Sequence, residues 1–351
     1  MTAANPLYSQ SDAELTRRIG TMDTHNDFAI GILKERQNGN HDSLGEYWIP
    51  RFRAGGVSVT TCPVFIPDIY LPDGALRFTI QVIDALFQEI EENRDEIELA
   101  RSYDDVVRIT ESGKIATILA FEGAEMLGQD LAALRLFYQL GLRMLSFAWM
   151  RRTLFGDGTW ENDSRGGLTR LGRAAVREVN RLGIIMDVSH ASDQTTWDIL
   201  HEATAPVIAS HSNARAVHPH LRNVTDDMIR AIAATGGVVG VVAVSGFITD
   251  GVPTIAKWVD HIDHIVQLVG IEHVGIGADF YDHLKKINAG PMIAGWAPEP
   301  LMEQPQPFTG MLGPEDLPGL TAELLRRGYT EPDLRKIYHE NYYRVMAEVM
   351  R

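Results

Sequence analysis

The order of apolar and polar segments along the chain predicts its fold. Eight short runs rich in Val, Ile and other apolar residues alternate with longer segments in which apolar residues recur every three to four positions. Residues 237–244, Gly-Val-Val-Gly-Val-Val-Ala-Val, are apolar throughout, as strands covered on both faces usually are. The pattern predicts strands at residues 21–27, 57–66, 115–123, 143–149, 184–190, 206–212, 238–244 and 273–280.

Amphipathic helices are predicted between these strands. In residues 76–92, for example, Phe78, Val82, Leu86 and Ile90 lie on one helical face. Residues 36–50 are polar and are predicted to form a loop. The predicted helices cover residues 12–19, with Ser11 as N-cap, then 76–92, 130–140, 169–182, 193–202, 225–234, 254–269, 317–326 and 331–350.

Alternating strands and helices predict an α/β protein with a parallel sheet, and eight such units favour a (β/α)8 TIM-type barrel. The alternative, an open doubly wound sheet, normally shows a glycine-rich phosphate-binding turn after its first strand. Here that place is taken by Asp23-Thr-His-Asn-Asp27. We therefore predict one domain over residues 1–351, with 1–20 as a leader and the Pro/Gly-rich residues 287–320 as a loop over the barrel mouth.

Composition and charge narrow the classes of partner. The chain has 351 residues, 45% of them hydrophobic and 23% charged, and a net charge of −15. The negative charge argues against nucleic acid or an anionic membrane as a partner, because both favour clustered Lys and Arg. Cys62 is the only cysteine, so a metal site would have to use His and carboxylate ligands. With no signal-peptide or membrane-spanning pattern, the sequence predicts a cytoplasmic location.

Candidate metal ligands recur at the ends of the predicted strands, where barrels of this class place their chemistry. His25 and Asp27 lie two residues apart at the end of the first strand and so share one face. Any one such residue has an ordinary structural explanation, such as a polar strand end or a helix cap. Together, ligands at equivalent strand ends predict a metal centre, and its members are His25, Asp27, Glu122, His190, His211 and Asp279.

Six ligands exceed the three that one catalytic zinc takes from a protein. Glu122, in the middle of the series, is the natural bridge between two metal ions about 3.5–4 Å apart. A hydroxide held between the ions would attack an amide carbonyl that one metal polarises. Asp279 would accept the water's proton and pass it to the leaving amine.

Further residues near the predicted strand ends could orient the ligands or contact a substrate. Asp23 and Asn26 flank the first ligands. Arg222 lies just outside the predicted metals and suits a substrate carboxylate, although a solvated position on the rim is equally compatible with its spacing. Other polar residues near the strand ends are His218, His220 and Asn223 in the loop that carries Arg222, and Arg151, Arg152 and Asp157 in the loop after the fourth predicted strand.

These motifs together resemble the membrane (renal) dipeptidase family, the M19 metallopeptidases, which are (β/α)8 barrels of the amidohydrolase type. The resemblance runs from the first strand to the last helix and so covers nearly the whole chain. The matching segments are Asp23-Thr-His-Asn-Asp27, Phe121-Glu-Gly123, Met186-Asp-Val-Ser-His190, Pro206-Val-Ile-Ala-Ser-His-Ser212, Arg222-Asn-Val-Thr-Asp-Asp227, Val259-Asp-His-Ile-Asp-His264, His273-Val-Gly-Ile-Gly-Ala-Asp-Phe280 and Glu340-Asn-Tyr-Tyr-Arg-Val345.

The resemblance implies two zinc ions per chain, one held by His25, Asp27 and Glu122 and the other by Glu122, His190 and His211. It also implies that Asp279 is the catalytic aspartate beside the first metal. Arg222 matches the arginine that binds the carboxylate of the substrate. The implied activity is dipeptide hydrolysis, often with a D-residue on the C-terminal side, and the implied assembly is a homodimer.

One position departs from the family pattern. Trp149 stands where the family's well-known dipeptidases carry a substrate-binding His, and an indole can donate one hydrogen bond but cannot be cationic. The run from Arg152 to Gly158 looks like a bacterial branch of the family. The sequence therefore leaves alternatives to a dipeptidase. These are an N-acyl amino acid amidase, a lactonase, a deaminase, and a barrel that binds a ligand without catalysis.

Overall fold

The structure is a computed structural model that describes residues 7–280, 283, 308 and 310–350. Nine parallel strands are found in the described part of the chain, and most are buried along their whole length. They are β1 (Thr21–Asp23), β2 (Val57–Val64), β3 (Ile97–Leu99), β4 (Ile115–Glu122), β5 (Leu142–Ser146), β6 (Ile185–Asp187), β7 (Val207–Ile208), β8 (Val239–Val241) and β9 (Val274–Ile276).

Eight of these strands form the barrel. They pair in the order β7–β6–β5–β4–β2–β1–β9–β8. The two ends of that series meet at a parallel bridge between Ala209 and Val239, where the N–H of Gly240 donates to the Ala209 carbonyl at 2.7 Å. β3 pairs with the start of β4, outside the ring. The predicted (β/α)8 barrel is confirmed.

Helices cover the outside of the barrel. The helices that begin at Arg170, Asp193, Asp226 and Ile255 each follow a Ser or Thr N-cap whose hydroxyl accepts a backbone N–H of the first turn. No helix among the described residues is long and apolar enough to cross a membrane. The helices are α1 (Gln10–Ile19), α2 (Ala29–Gln37), α3 (Ile49–Gly55), α4 (Ala75–Glu92), α5 (Tyr103–Glu111), α6 (Ala132–Leu140), α7 (Arg170–Leu182), α8 (Asp193–Glu202), α9 (Asp226–Ala234), α10 (Ser245–Ile248), α11 (Ile255–Val269), α12 (Leu317–Arg326), α13 (Glu331–Arg335) and α14 (Asn341–Val349).

Several predicted boundaries were wrong. The strand predicted at 21–27 pairs as a ladder only over Thr21–Asp23, because the apolar pattern reports burial and not continuous pairing. β3 and α5 were not predicted, and the predicted loop at 36–50 contains the π-helical turn Leu44–Trp48. A second π-helical turn, Lys336–Glu340, separates α13 and α14 within the helix predicted at 331–350. α1 starts from Ser9, which forms a capping box with Asp12, and not from Ser11.

The segment predicted to lie over the barrel mouth, residues 287–320, falls largely outside the described residues. Its last part forms the 3₁₀ turn Pro314–Asp316 and the start of α12. Of the predicted leader, the described part is mainly α1. That residues 1–351 form a single domain stays a prediction.

The interior of the barrel is closed next to the first-strand motif by a tyrosine from the last helix. Tyr342 lies so close to Gly240 and Gly275 that a Cβ added at either glycine would fall 2.3 Å from the tyrosine ring or hydroxyl. Its hydroxyl is 3.1 Å from the Thr24 hydroxyl, which donates to the Ser210 carbonyl at 2.6 Å. The residues that follow Thr24 therefore lie next to a tightly packed part of the barrel interior.

Candidate metal centre

The predicted ligands lie at one end of the barrel. Glu122 is the last residue of β4, and His25 and Asp27 follow β1 within four residues. His190, His211 and Asp279 each lie three residues after the end of β6, β7 and β9, respectively. Parallel strands bring their carboxyl ends to the same rim, so ligands far apart in sequence become neighbours.

Glu122 is at the centre of the cluster. Its Oε1 atom lies 2.7 Å from His190 Nε2, 3.4 Å from His211 Nε2 and 3.5 Å from His25 Nε2. The Nε2 atoms of His190 and His211 are 2.8 Å apart. One carboxylate thus contacts three imidazoles, which is the position expected of a bridging ligand.

His25 belongs to two groups of ligand atoms. The ligand atoms of His25, Glu122 and His211 all lie within 4.8 Å of one another, and the same is true of His25, Asp27 and Asp279. His25 Nε2 is 3.6 Å from Asp27 Oδ1. The cluster therefore contains two sets that share His25, one toward β4 and β7 and one toward β9.

The donor set fits divalent metal ions. Within the described residues, His25 Nε2 and Asp27 Oδ1 are buried and have no hydrogen-bond partner. Three carboxylates, those of Asp27, Glu122 and Asp279, meet in a largely buried place, which is costly without cations. Imidazole and carboxylate ligands together suit zinc and several other divalent ions.

The pKa values of the cluster reflect the three carboxylates that meet there. Burial opposes a charged imidazole at His25, but the fields of Glu122, Asp27 and Asp279 outweigh it and raise the pKa of His25 to about 10. Burial raises the pKa of Glu122 well above its ordinary value and that of Asp279 to about 7. Burial also lowers the pKa of His190 well below its ordinary value, leaving its imidazole neutral as a metal ligand requires.

The backbone around the cluster is held in uncommon conformations. His190 has a φ of 70° and Asp279 a φ of 60°, a region that residues with a Cβ seldom occupy. The N–H of Asp279 donates to the His25 carbonyl at 2.9 Å. Asp23 accepts the N–H of Ala278 at 2.9 Å and that of His25 at 3.3 Å, and so ties the ends of β1 and β9 together.

Arg222 reaches the cluster from the loop after β7. Its side chain is buried, and Nη2 donates to the carbonyl of His211 at 3.0 Å. Its Nε is buried without a hydrogen-bond partner among the residues that the structure describes. Burial lowers the pKa of Arg222 to about 10, so the guanidinium stays charged at neutral pH. A buried cation with an unpartnered donor beside the ligands suits a substrate carboxylate.

The other predicted residues of this loop support its backbone. Asn223 Nδ2 donates to the carbonyls of His218 and Phe247 at 2.9 and 2.8 Å. His218 contacts the Gly246 carbonyl at 3.1 Å, and the His220 ring packs on Phe247 at 4.7 Å. These contacts fix the loop that carries Arg222.

Trp149 also lies beside the cluster. Its ring stacks on Phe65 at 5.7 Å and meets Trp160 edge-on at 5.6 Å, and its centroid is 6.1 Å from that of His190. Arg151 lies over the Trp149 ring at 5.4 Å and pairs with Glu125 at 2.9 Å and with Asp68. These contacts make an aromatic wall, formed by Phe65, Trp149 and Trp160, next to a candidate ligand.

Arg152 points elsewhere. It donates to Asp157 at 2.5 and 3.0 Å and to Ser164 at 2.9 Å, and its side chain is 53% exposed. The structure therefore gives Arg152 partners within its own loop, and its predicted contact with substrate stays a prediction.

Sequence reasoning missed several residues that contact the ligands. Ser210 Oγ lies 2.7 Å from His211 Nδ1 and donates to Asp187 Oδ2 at 2.6 Å. Met150 Sδ lies 3.1 Å from His190 Nδ1. Asp187 and Ser210 stand at the same strand ends that supplied the histidines, so their position was a signal that could have found them.

Fold and cluster together define the class of protein: a (β/α)8 barrel whose strand ends carry a ligand set for divalent metal ions. The membrane dipeptidase family, peptidase family M19, matches residues 10–293. The chain belongs to this family, as the sequence motifs indicated.

Known proteins are similar to the chain in sequence and in structure. It is 34% identical over 279 residues to dipeptidase tcpJ of Claviceps purpurea, which covers 78% of this chain and 60% of that protein. It is 30% identical over 358 residues to dipeptidase 3 of Rattus norvegicus, covering 99% and 68%. A metallopeptidase of Rhodobacter sphaeroides, solved with a phosphinate mimic of the dipeptide L-Ala-D-Ala, is 29% identical with a TM-score of 0.80, covering 94% and 99%. The chain thus spans 60% of the length of the Claviceps relative.

Proposed function

We propose that the protein is a zinc-dependent dipeptidase with two metal ions per chain. The observation that carries the proposal is that Glu122 contacts three imidazoles while Arg222 lies buried beside them, its Nε without a hydrogen-bond partner among the described residues. Candidate metal ligands next to a buried guanidinium match the two parts of a dipeptide substrate: the amide bond to be cleaved and the carboxylate to be bound.

In this proposal His25, Asp27 and Glu122 hold one ion, with Asp279 beside it, and Glu122, His190 and His211 hold the other. Bound metal ions would supply Lewis acidity and lower the pKa of a coordinated water, the chemistry that amide hydrolysis needs. The buried surroundings of Glu122 and His211 exclude bulk water and strengthen the interactions made there.

The residues of the chain then position the dipeptide and move its protons. Arg222 binds the C-terminal carboxylate through its Nε, which orients the amide toward Glu122 and the histidines. Asp279, whose carboxylate lies with the ligand atoms of His25 and Asp27, accepts a proton from the attacking water and passes it to the leaving amine.

The aromatic wall bears on the choice of substrate. Trp149 beside His190 offers an apolar ring face and one N–H, so we propose that it packs against the substrate and does not stabilise its charge. The Rhodobacter structure holds a mimic with a D-residue on the C-terminal side. We propose that this chain also accepts dipeptides of that kind.

The test is a hydrolysis screen with Zn²⁺ supplied, using L,L- and L,D-dipeptides, their C-terminal amides and N-acyl amino acids. We expect turnover of dipeptides with a free carboxylate. Equal turnover of amides or lactones that lack a carboxylate would overturn the proposal in favour of another metal-dependent hydrolase. Metal analysis is the companion measurement, because clearly less than one divalent ion per purified chain would remove the proposed centre. The predicted homodimer and cytoplasmic location stay predictions.

A further inference from the structure

The imidazole of His211 is held from behind by a serine and a buried carboxylate. Ser210 Oγ lies 2.7 Å from His211 Nδ1 and 2.6 Å from Asp187 Oδ2. All three side chains are buried. The opposite ring nitrogen, His211 Nε2, lies 3.4 Å from Glu122 Oε1 in the cluster.

The direction of these hydrogen bonds follows from the backbone. Asp187 Oδ1 accepts the N–H of Ser189 at 2.9 Å and the N–H of Ser210 at 2.8 Å. The second oxygen of Asp187, Oδ2, accepts the Ser210 hydroxyl, because a carboxylate has no proton to give. The only hydroxyl proton of Ser210 is thereby used, so its oxygen must accept a proton from His211 Nδ1.

We propose that Asp187 and Ser210 are positioning residues that hold His211 as the Nδ1-protonated tautomer, with the lone pair of Nε2 directed to the metal centre. The inference rests on the proposed metal centre and adds two residues to it that act through His211. Outer hydrogen bonds of this kind fix both the tautomer and the ring orientation of a ligand histidine.

Ser189 provides a matched control. Its hydroxyl is as buried as that of Ser210 and accepts the backbone N–H of His211 at 3.0 Å, but it does not contact the ring nitrogen in the part of the chain that the structure describes. Ser210→Ala leaves His211 Nδ1 without its acceptor, whereas Ser189→Ala leaves the tautomer unaffected. We expect Ser210→Ala to weaken Zn²⁺ binding by about 10- to 100-fold and Ser189→Ala to weaken it clearly less.

Asp187→Asn should weaken Zn²⁺ binding more than Ser210→Ala does, for a geometric reason. The two backbone N–H groups that meet Asp187 Oδ1 require an oxygen there, so the amide nitrogen of the variant must occupy the Oδ2 position. It would then donate to Ser210 Oγ, and the Ser210 hydroxyl would turn to donate to His211 Nδ1. His211 would carry its proton on Nε2, where it cannot bind metal. Removing the hydroxyl should undo this reversal, so the double variant Asp187→Asn/Ser210→Ala should bind Zn²⁺ more tightly than Asp187→Asn alone.

The experiment measures Zn²⁺ affinity by competition with a chromophoric chelator for the four variants and the original chain, with thermal unfolding as a check on folding. ¹⁵N NMR of the histidine ring in the unsubstituted, metal-free protein gives the tautomer directly and needs no variant. Nδ1 protonation of His211 and the affinity order above support the inference. Nε2 protonation, equal effects of Ser210→Ala and Ser189→Ala, or a double variant no better than Asp187→Asn would overturn it. If the unsubstituted chain failed to bind Zn²⁺, the proposed function would fall, and the NMR result would still decide the tautomer.

Discussion

The ligand cluster and the loops that face it differ in how well the sequence predicts where their side chains lie. In the cluster, all three histidines lie within ion-pairing distance of Glu122, and His190 and His211 lie within hydrogen-bonding distance of each other. In the loops after β5 and β7, the predicted substrate residues separate. Arg222 and Trp149 lie at the cluster. Asn223 donates to backbone carbonyls, and Arg152 pairs with Asp157.

The difference arises from what positions each group. A ligand within a few residues of a strand end is positioned by the barrel, because parallel pairing fixes where each strand ends. A loop residue is placed by contacts with distant parts of the chain, as Arg151 is by Asp68 and Glu125. Substitutions in the two regions should therefore differ in size and in what they change.

The largest effect is expected from Glu122→Gln. Glu122 contacts all three imidazoles, and a neutral amide can neither bridge two cations nor balance their charge. We expect loss of bound metal, measured by elemental analysis, and loss of dipeptide hydrolysis below detection. Glu125→Gln, three residues after the end of β4 and paired with Arg151, is the matched control and should keep its metal. Full metal content in Glu122→Gln would contradict the bridging role.

Asp279→Asn should come next. If Asp279 moves the proton from water to amine, kcat should fall by about 10²–10⁴-fold, the usual contribution of a general acid–base group. Steady-state kinetics alongside metal analysis separates this role from that of a simple ligand. A change in KM alone, with kcat preserved, would remove Asp279 from proton transfer.

Arg222→Ala tests the substrate-facing side. Loss of charge-assisted hydrogen bonds to a carboxylate should lower kcat/KM for free dipeptides by about 10- to 100-fold, mainly through KM. The matching dipeptide amides, which lack the carboxylate, serve as the control and should be hydrolysed as by the unsubstituted enzyme. An equal loss with both substrates would mean that Arg222 acts through the His211 carbonyl and not on substrate.

Trp149→Ala should have a smaller effect that depends on the substrate. Loss of ring packing should lower kcat/KM by about 2- to 10-fold for dipeptides with aromatic side chains, and less for dipeptides of alanine. Trp197→Ala is the control, because the Trp197 ring stacks on His201 within α8. The same loss for every dipeptide would indicate that Trp149 supports His190 and does not select substrate.

Arg152→Ala should change least. Its guanidinium is more than half exposed and already paired with Asp157, so KM and kcat should stay within experimental error of the unsubstituted values. A rise in KM comparable with that of Arg222→Ala would show that Arg152 turns toward the substrate when it binds, and would restore the prediction made from the sequence.

Much of the fold could be predicted because strand and helix patterns report burial. Eight of the nine described strands were placed, whereas β3 was missed because it is three residues long and pairs only at the edge of β4. The interruption of the last helix by Lys336–Glu340 had no signal in its apolar spacing. Strand lengths were overestimated because residues such as Thr24 and Asn26 are buried without forming a continuous ladder.

The sequence by itself determined the barrel, the six candidate ligands and the family, because the alternation of strand and helix segments and the residue types at strand ends can be read along the chain. Only the tertiary structure decided which loop residues reach the ligands, and how the ligands are held. Asp187 faces Ser210, the residue beside His211 Nδ1, because β6 and β7 pair side by side. Contacts between strands set by pairing register cannot be read from either segment alone. The family thus follows from the chain, whereas the orientation of its ligands follows from the fold.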